Sequence, residues 1–277
     1  MGRKKSVEKK IVRKLDHAIF DYEISYSKFP HHAAIISKEA SEKGFDIVIA
    51  VGGDGSANDV ARGLVNTNTI MGIIPVGSGN GLAHHLKIPT KISKAIETLN
   101  NFNISRIDTA TINGQLFISI AGLGFDAHIA EKFALYKTRG FWTYFLLTIS
   151  EFFKYIPLEY NIRYDGKEIK REALLLSFAN TGQFGYNATI SSTASVNDGF
   201  IDLCIIRKIS AFRTATIAHR LFIKDIDSSK YVEVYKAKEV TIDCKSFASS
   251  HIDGDPCERI MKAHIKIQPK TLNIIVP

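Results

Sequence analysis

Two Gly-rich stretches gather most of the residues that could do chemistry in this 277-residue chain. In the first, an apolar run at 47–51 leads into Gly52-Gly53-Asp54-Gly55-Ser56, with Asn58 and Asp59 close behind. In the second, 70–76 lead into Gly77-Ser78-Gly79-Asn80-Gly81. Glycine lets a backbone turn sharply and approach a ligand closely, and the first N–H groups of a following helix attract phosphate oxygens. A buried strand, a Gly-rich turn and a helix are therefore a phosphate site in outline. Ser56 reads as the helix N-cap, with Asp59 three residues on in a capping-box-like arrangement. One such turn is equally an ordinary strand-to-helix connection, but two at the ends of neighbouring parallel strands would face one crevice. Neither turn has the G-x-x-x-x-G-K-[ST] or G-x-G-x-x-G spacing. Gly122-Leu-Gly-Phe-Asp126 does resemble the dinucleotide fingerprint, yet its strand leaves an Asn-Gly hairpin, not a βαβ unit, and no acid closes a later strand. We read it as coincidence.

Among the acids, Asp253 lies in His251-Ile-Asp-Gly-Asp255. Phosphoryl transfer needs one carboxylate oriented toward the attacking hydroxyl, but Asp-Gly-Asp-Pro is also good turn chemistry anywhere. Asp198, in Asn197-Asp198-Gly199, has the same two readings. His31, His32, His84 and His85 stand at or near helix starts and are assigned no chemistry.

The elements that must position these residues change character along the chain. Val7, Ile11, Leu15 and Ile19 recur every four residues and predict an opening helix. There follow a short strand at 22–26, a helix at about 31–43 closed by Gly44, strand 47–51, helix 57–65, strand 70–74, and helices near 82–86 and 92–99. Such alternation implies a mostly parallel sheet covered by helices. After about Arg106, Asn113-Gly114 and Asp165-Gly166 sit between alternating strands as two-residue type I′ turns require, and strand 116–120 follows the first. One long helical segment at about 127–155 and a shorter one at 211–223 interrupt this β half, and strands 263–267 and 272–276 close the chain. We divide it into an α/β domain at 1–106 and a β domain at 107–277, with the last strand packing back on the first domain.

Composition bounds the rest. With 45% hydrophobic residues, 10% of the chain being aromatic, it can build real cores. Thirty-six Lys and Arg against 28 Asp and Glu favour anionic partners, and no nucleic-acid recognition motif accompanies the charge. Three cysteines without paired spacing suit a reduced cytoplasmic protein without a zinc site. The apolar stretch 141–153 is too short to cross a bilayer, which takes about 20 residues, so contact with lipid is expected to be peripheral. Nine aromatics between 133 and 155 suit either a helix packed on a sheet or an acyl-chain or interface contact.

The residues also resemble a known family. Gly52-Gly53-Asp54-Gly55-Ser56 with Asn58-Asp59 is similar to the G-G-D-G-T-x-N-E signature of the diacylglycerol kinase catalytic domain, and Pro75-Val-Gly-Ser-Gly-Asn-Gly-Leu-Ala83 to its second nucleotide motif. Tyr26-Ser27 with His32-Ala33, Asn197-Asp198-Gly199-Phe200, and His251-Ile-Asp-Gly-Asp255 follow in the family's order. The resemblance implies a doubly wound nucleotide-binding domain followed by a β-sandwich domain with inserted helices. It implies an ATP-dependent kinase acting on a lipid hydroxyl, of diacylglycerol or sphingoid-base type, at an anionic membrane surface. Ser27, Gly52, Gly53, Asp54, Gly55, Ser56, Gly77, Ser78, Gly79 and Asn80 would hold ATP and organise Mg²⁺. Asp253 would be the general base, with Asp54 and Asp255 also in the catalytic set, and Asp198 would hold a structural Mg²⁺.

Several departures accompany the resemblance. Met1-Gly-Arg-Lys-Lys5 stands where the family has an opening strand and an Asn-Pro-x-Ser-Gly-like turn, so the first strand is missing from the pattern. Ser27 and Ser56 replace Thr, and Asp59 and Asp255 replace Glu, which keeps each polar group but shortens it. Gly77-Ser-Gly-Asn-Gly-Leu-Ala83 is closer to the sphingosine kinase version of its motif. NAD kinase shares the Gly-Gly-Asp-Gly turn and is the competing enzymatic reading. A non-catalytic nucleotide or lipid binder is the reading from another class, and a homodimer is compatible with all three.

Overall fold

The computed structural model describes residues 2–136, 141–185, 188–208 and 219–277. The chain forms two compact units, Met1–Ile107 with Lys270–Pro277, and Asp108–Pro269.

In the first unit, α1 (Gly2–Lys14) buries Val7 and Leu15 while Ile19, past its end, stays exposed. The expected strand at 22–26 does not form: 20–28 run without regular structure, and Ile24 and Tyr26 are exposed. Alternation alone does not make a strand without a ladder partner, and none of the described strands pairs with this stretch. Then come α2 (His32–Glu42), β1 (Ile47–Gly52), α3 (Asp54–Leu64), β2 (Ile70–Pro75), α4 (Gly81–His85), α5 (Ile92–Asn101) and β3 (Asn103–Ile112). β1 and β2 pair in parallel from Ile47↔Ile70 to Gly52↔Pro75, so both Gly-rich turns leave the same end of the sheet. Helices α2 and α3 pack on each other and on β1, while α5 packs on β2 and carries α1. Leu64, Met71, Ile96 and Leu99 are essentially inaccessible in this core, each contributing roughly 1.5–3 kcal/mol by leaving water.

The second unit holds β4 (Gln115–Phe117), β5 (Ile120–Gly124), α6 (Phe125–Ala134), α7 (Phe141–Phe152), β6 (Leu158–Tyr164), β7 (Lys167–Ala179), β8 (Gln183–Gly185), β9 (Ala188–Thr189), β10 (Ile201–Arg207), β11 (Val232–Ala237), β12 (Glu239–Ile252) and the part of β13 (Asp255–Val276) that precedes Lys270. Antiparallel pairing joins β12 to β5, β6 and β13, β7 to β5, β6 and β10, and β10 to β11. The buried core includes Tyr160, Ile162, Leu176, Phe178, Leu203, Ile242 and Ile265. Asn113-Gly114 and Asp165-Gly166 have positive φ at both positions, as type I′ turns do, and so does Asp253-Gly254 between β12 and β13.

Three expectations change. The strand at 116–120 is broken into β4 and β5, with Ile118 and Ser119 between them. The long helix at 127–155 is two helices, and of the one at 211–223, residues 211–218 lie outside the described residues while 219–223 are helical. The two closing strands are one, β13, which passes through a left-handed Lys270; beyond it Ile274 pairs in parallel with Met71 of β2.

Candidate functional site

The first Gly-rich turn is shorter than its sequence suggests. Helix α3 begins at Asp54, its N-cap is Gly53, and its first i to i−4 bond runs from Ala57 N–H to the Gly53 carbonyl at 3.0 Å. Ser56 is therefore not the cap but an exposed residue of the first turn. With glycine at the cap, the cap residue itself contributes no side-chain hydrogen bond to the helix's first N–H groups. Asp59 makes no capping box either: its Oδ1 lies 2.9 Å from Nδ1 of His31, a residue to which the sequence assigned nothing.

The second turn packs against the first, backbone on backbone. Val76 N–H donates to the Gly52 carbonyl at 2.9 Å, carrying the parallel ladder one residue past β2. A Cβ on Gly53 would lie 3.2 Å from the Gly77 Cα, and one on Gly77 would meet the Gly53 backbone and, at 2.9 Å, Oδ1 of Asn80. Gly77 leaves no room for a Cβ, and at Gly53 a Cβ would fit only with a small shift of the facing loop. Asn80, left-handed with φ 52°, folds its amide back on the loop: Gly77 N–H donates to Oδ1 at 3.1 Å and Nδ2 donates to the Gly77 carbonyl at 2.9 Å. Its side chain thus holds the loop's shape. Ser78 is exposed at the tip, and Ser27 is exposed on the 20–28 stretch before α2.

In the second unit, Asp253 (φ 48°) occupies the first position of its I′ turn. Its Oδ1 accepts N–H bonds from Ser119 at 2.8 Å and Ile120 at 2.9 Å, and its Oδ2 accepts one from Ile118 at 3.1 Å. Asp253 N–H donates in turn to the Ile120 carbonyl at 2.8 Å. The break between β4 and β5 is thus where the backbone turns its N–H groups onto this carboxylate. Asp255 is exposed at the other end of the turn.

One strand step away lies a pair that sequence reasoning missed. His251 Nε2 is 3.1 Å from Asp126 Oδ2, and both side chains are under 10% exposed. Gly254 N–H points at His251 Nδ1 at 3.4 Å, which makes Nδ1 the acceptor and puts the ring proton on Nε2, toward Asp126. A Cβ on Gly122 would run into both side chains. The signal was present in Gly122-Leu-Gly-Phe-Asp126, where Gly122 makes room for this pair and Gly124 for the Leu174 carbonyl and the Tyr160 hydroxyl. Its strand β5 has antiparallel neighbours on both sides, so no βαβ unit exists there. Burial, with the Asp126 charge adding to it, pushes the nearby Tyr155 hydroxyl well above its ordinary range.

Asp198 has different partners. Its Oδ1 accepts Phe200 N–H at 3.1 Å and its Oδ2 lies 2.6 Å from Nζ of Lys236. The turn it occupies is tied from behind by Gly199 N–H, which donates to the buried Asp108 Oδ2 at 2.7 Å.

Comparison with known proteins places this geometry. The profile of the diacylglycerol kinase catalytic domain matches residues 1–112, and that of the YegS C-terminal NAD kinase beta sandwich-like domain matches residues 119–276. The chain belongs to the diacylglycerol kinase and YegS-like family of lipid kinases. The Bacillus subtilis protein named diacylglycerol kinase is 30% identical to it over 254 residues, 88% of this chain and 82% of that one. A diacylglycerol kinase crystal structure from Bacillus anthracis str. Sterne superposes with a TM-score of 0.75 at 20% identity, covering 98% of this chain and 91% of that chain. An NAD kinase from Archaeoglobus fulgidus solved with ATP shares the fold more distantly, with a TM-score of 0.55 at 14% identity over 99% of this chain and 90% of that chain. The fold class of this chain is thus a mixed α/β nucleotide-binding domain followed by a β-sandwich-like domain.

The structural Mg²⁺ that the resemblance assigns to Asp198 does not fit the residues found there. A divalent cation takes oxygen ligands, but the carboxylate is engaged by an ammonium and a backbone N–H. Among the described residues, no group of three or more His, Cys, Asp or Glu could hold a metal ion.

Proposed function

We propose that this chain transfers the γ-phosphoryl group of ATP to the hydroxyl of a diacylglycerol-type lipid at a membrane surface. The observation that carries the reading is the backbone contact of the Gly53 and Gly77 turns beside the glycine-capped N-terminus of α3, in a chain of the lipid kinase family. Gly52, Gly53, Gly55 and Ser56, with Gly77, Ser78 and Gly79, present N–H and hydroxyl groups to the phosphates. Asn80 acts by holding the second loop, and Ser27 adds a hydroxyl from the stretch before α2. Asp54 at the first position of α3 holds the Mg²⁺ that enters with the nucleotide. Asp253 takes the proton as the lipid oxygen bonds to the γ-phosphorus and ADP leaves, and Asp255 belongs to the same turn.

Approach to lipid is assigned to α7, where Trp142, Leu146 and Ile149 are exposed at spacings that put them along one helical side, with exposed Phe153 just past its end. The opposite contacts are packing: Phe133 meets Tyr144 edge-on at 5.4 Å, and Phe125 meets Phe152 at 5.8 Å. No described helix is long and apolar enough to cross a membrane, which suits peripheral contact.

The test is transfer of radiolabelled phosphate from ATP to a panel of diacylglycerol, phosphatidylglycerol, sphingosine, ceramide and polyprenol in mixed micelles, with NAD as a soluble acceptor. Label on diacylglycerol is expected. Label on NAD alone would support the soluble-kinase reading, and none on any acceptor, with ATP still bound, would leave a non-catalytic binder.

A further inference from the structure

The misfit at Asp198 has a definite cause. Strands β10 and β11 pair so that Asp202 stands directly opposite Lys236. Asp202 is almost fully buried, and its Oδ2 accepts hydroxyl bonds from Ser191 at 2.6 Å and Thr193 at 2.7 Å. Its Oδ1 lies 3.2 Å from Nζ of Lys236. The same Nζ is 2.6 Å from Asp198 Oδ2 and donates to the Thr193 carbonyl at 3.2 Å. An ammonium has three N–H donors, and here it meets three oxygens: two carboxylates and a backbone carbonyl. That is the ligand chemistry of a hard divalent cation, gathered around a lysine. Burial alone would lower the Lys236 pKa, but its bonds to Asp198 and Asp202 outweigh that and raise it, so the group stays charged.

We infer that Lys236 is the resident cation of this site. Its ammonium neutralises the buried Asp202 and ties it to the Asp198 turn, so the second unit needs no divalent ion there. A Mg²⁺ added beside it would face a positive charge already bonded to both carboxylates. Any Mg²⁺ requirement of phosphate transfer then belongs to the nucleotide alone.

The experiment is thermal unfolding of the full chain without nucleotide, in EDTA and in excess MgCl₂, for wild type, Lys236→Met and Lys236→Arg. Wild type and Lys236→Arg should melt at the same temperature in both solutions. Lys236→Met leaves a buried carboxylate without its cation, so in EDTA it should melt on the order of 10 °C lower. Mg²⁺ should recover part of that loss, with Mg²⁺ binding now measurable by titration calorimetry. A wild-type melting temperature that falls in EDTA and recovers with Mg²⁺ would overturn the inference, as would Lys236→Met melting like wild type. If Lys236→Met does not fold in either solution, the wild-type and Lys236→Arg comparison decides alone.

Discussion

Asp253 is asked to do two things that conflict. As a strut it holds the Ile118, Ser119 and Ile120 N–H groups, and as a base it must take a proton on a carboxylate whose two oxygens already accept those bonds. The usual isosteric test is therefore not structurally silent: in Asp253→Asn one carboxylate oxygen becomes NH₂ and faces an N–H. If the amide oxygen keeps Ser119 and Ile120, the Ile118 N–H loses its acceptor, at about 1–3 kcal/mol. We expect a lower melting temperature and, below that temperature, a loss in turnover on the order of 10²- to 10⁴-fold at unchanged ATP affinity. Measured per folded molecule, turnover near wild type would reduce Asp253 to a strut. Asp54 makes the complementary case. A carboxylate at a helix N-terminus stabilises the empty protein by only about 0.3–1 kcal/mol, so Asp54→Ala should fold normally while kcat/KM for ATP falls about 10²-fold. Unchanged affinity and turnover, measured over a range of Mg²⁺ concentrations, would remove it from the site. At this scale residue types were legible and partners were not. Spacing marked Asn80 and Asp198, but only the fold shows Asn80 clamping Gly77 and Asp198 facing a lysine 38 residues further on.

Elements were read well where local chemistry fixes them. Asn113-Gly114 and Asp165-Gly166 are turns because few other pairs adopt two successive positive φ angles. The strand at 22–26 failed because pairing is not a local property, and α3 started early because glycine can cap a helix without contributing a side chain. Glu233 on β11 is invisible to such reading, yet it joins three neighbouring strands. It accepts from Arg171 of β7 at 3.0 Å, from Arg207 of β10, and from the Tyr235 hydroxyl at 2.5 Å. Burial alone would raise its pKa, but those bonds hold the carboxyl at about 2. An unfolded glutamate titrates near ~4.3. The stabilisation is therefore complete above that value and is lost as pH falls through the folded value of about 2. Glu233→Gln should lower stability at neutral pH by about 1–3 kcal/mol. The gap between variant and wild-type melting temperatures should close between about pH 5 and pH 2. A gap that persists undiminished in acid would mean the network is held by packing and not by this charge.

For the molecule as a whole, a formal charge of +8 and an exposed apolar helix side are two separate routes to a lipid surface, and their physics can be told apart. Charge attracts anionic headgroups by about 1 kcal/mol per basic residue near the surface and is screened by salt. Apolar side chains contribute regardless of salt, up to roughly 1.5–3 kcal/mol for each one fully buried. Trp142 is the only tryptophan and lies on that helix side, 71% exposed, so its fluorescence reports insertion directly. With vesicles containing phosphatidylglycerol, the emission should shift to the blue and the protein should co-sediment. Raising salt should weaken co-sedimentation, and phosphatidylcholine vesicles should bind less. Leu146→Glu, placed one helical turn from Trp142, should cut partitioning about tenfold or more at every salt concentration, because it removes an apolar group and adds a charge that the headgroups repel. The same variant should keep its activity toward a short-chain lipid dissolved as monomers, since such a substrate needs no membrane contact. Equal binding to neutral and anionic vesicles would mean that charge takes no part in the attachment, and binding of the variant like wild type with Trp142 emission unmoved would mean that α7 is not the side that meets lipid.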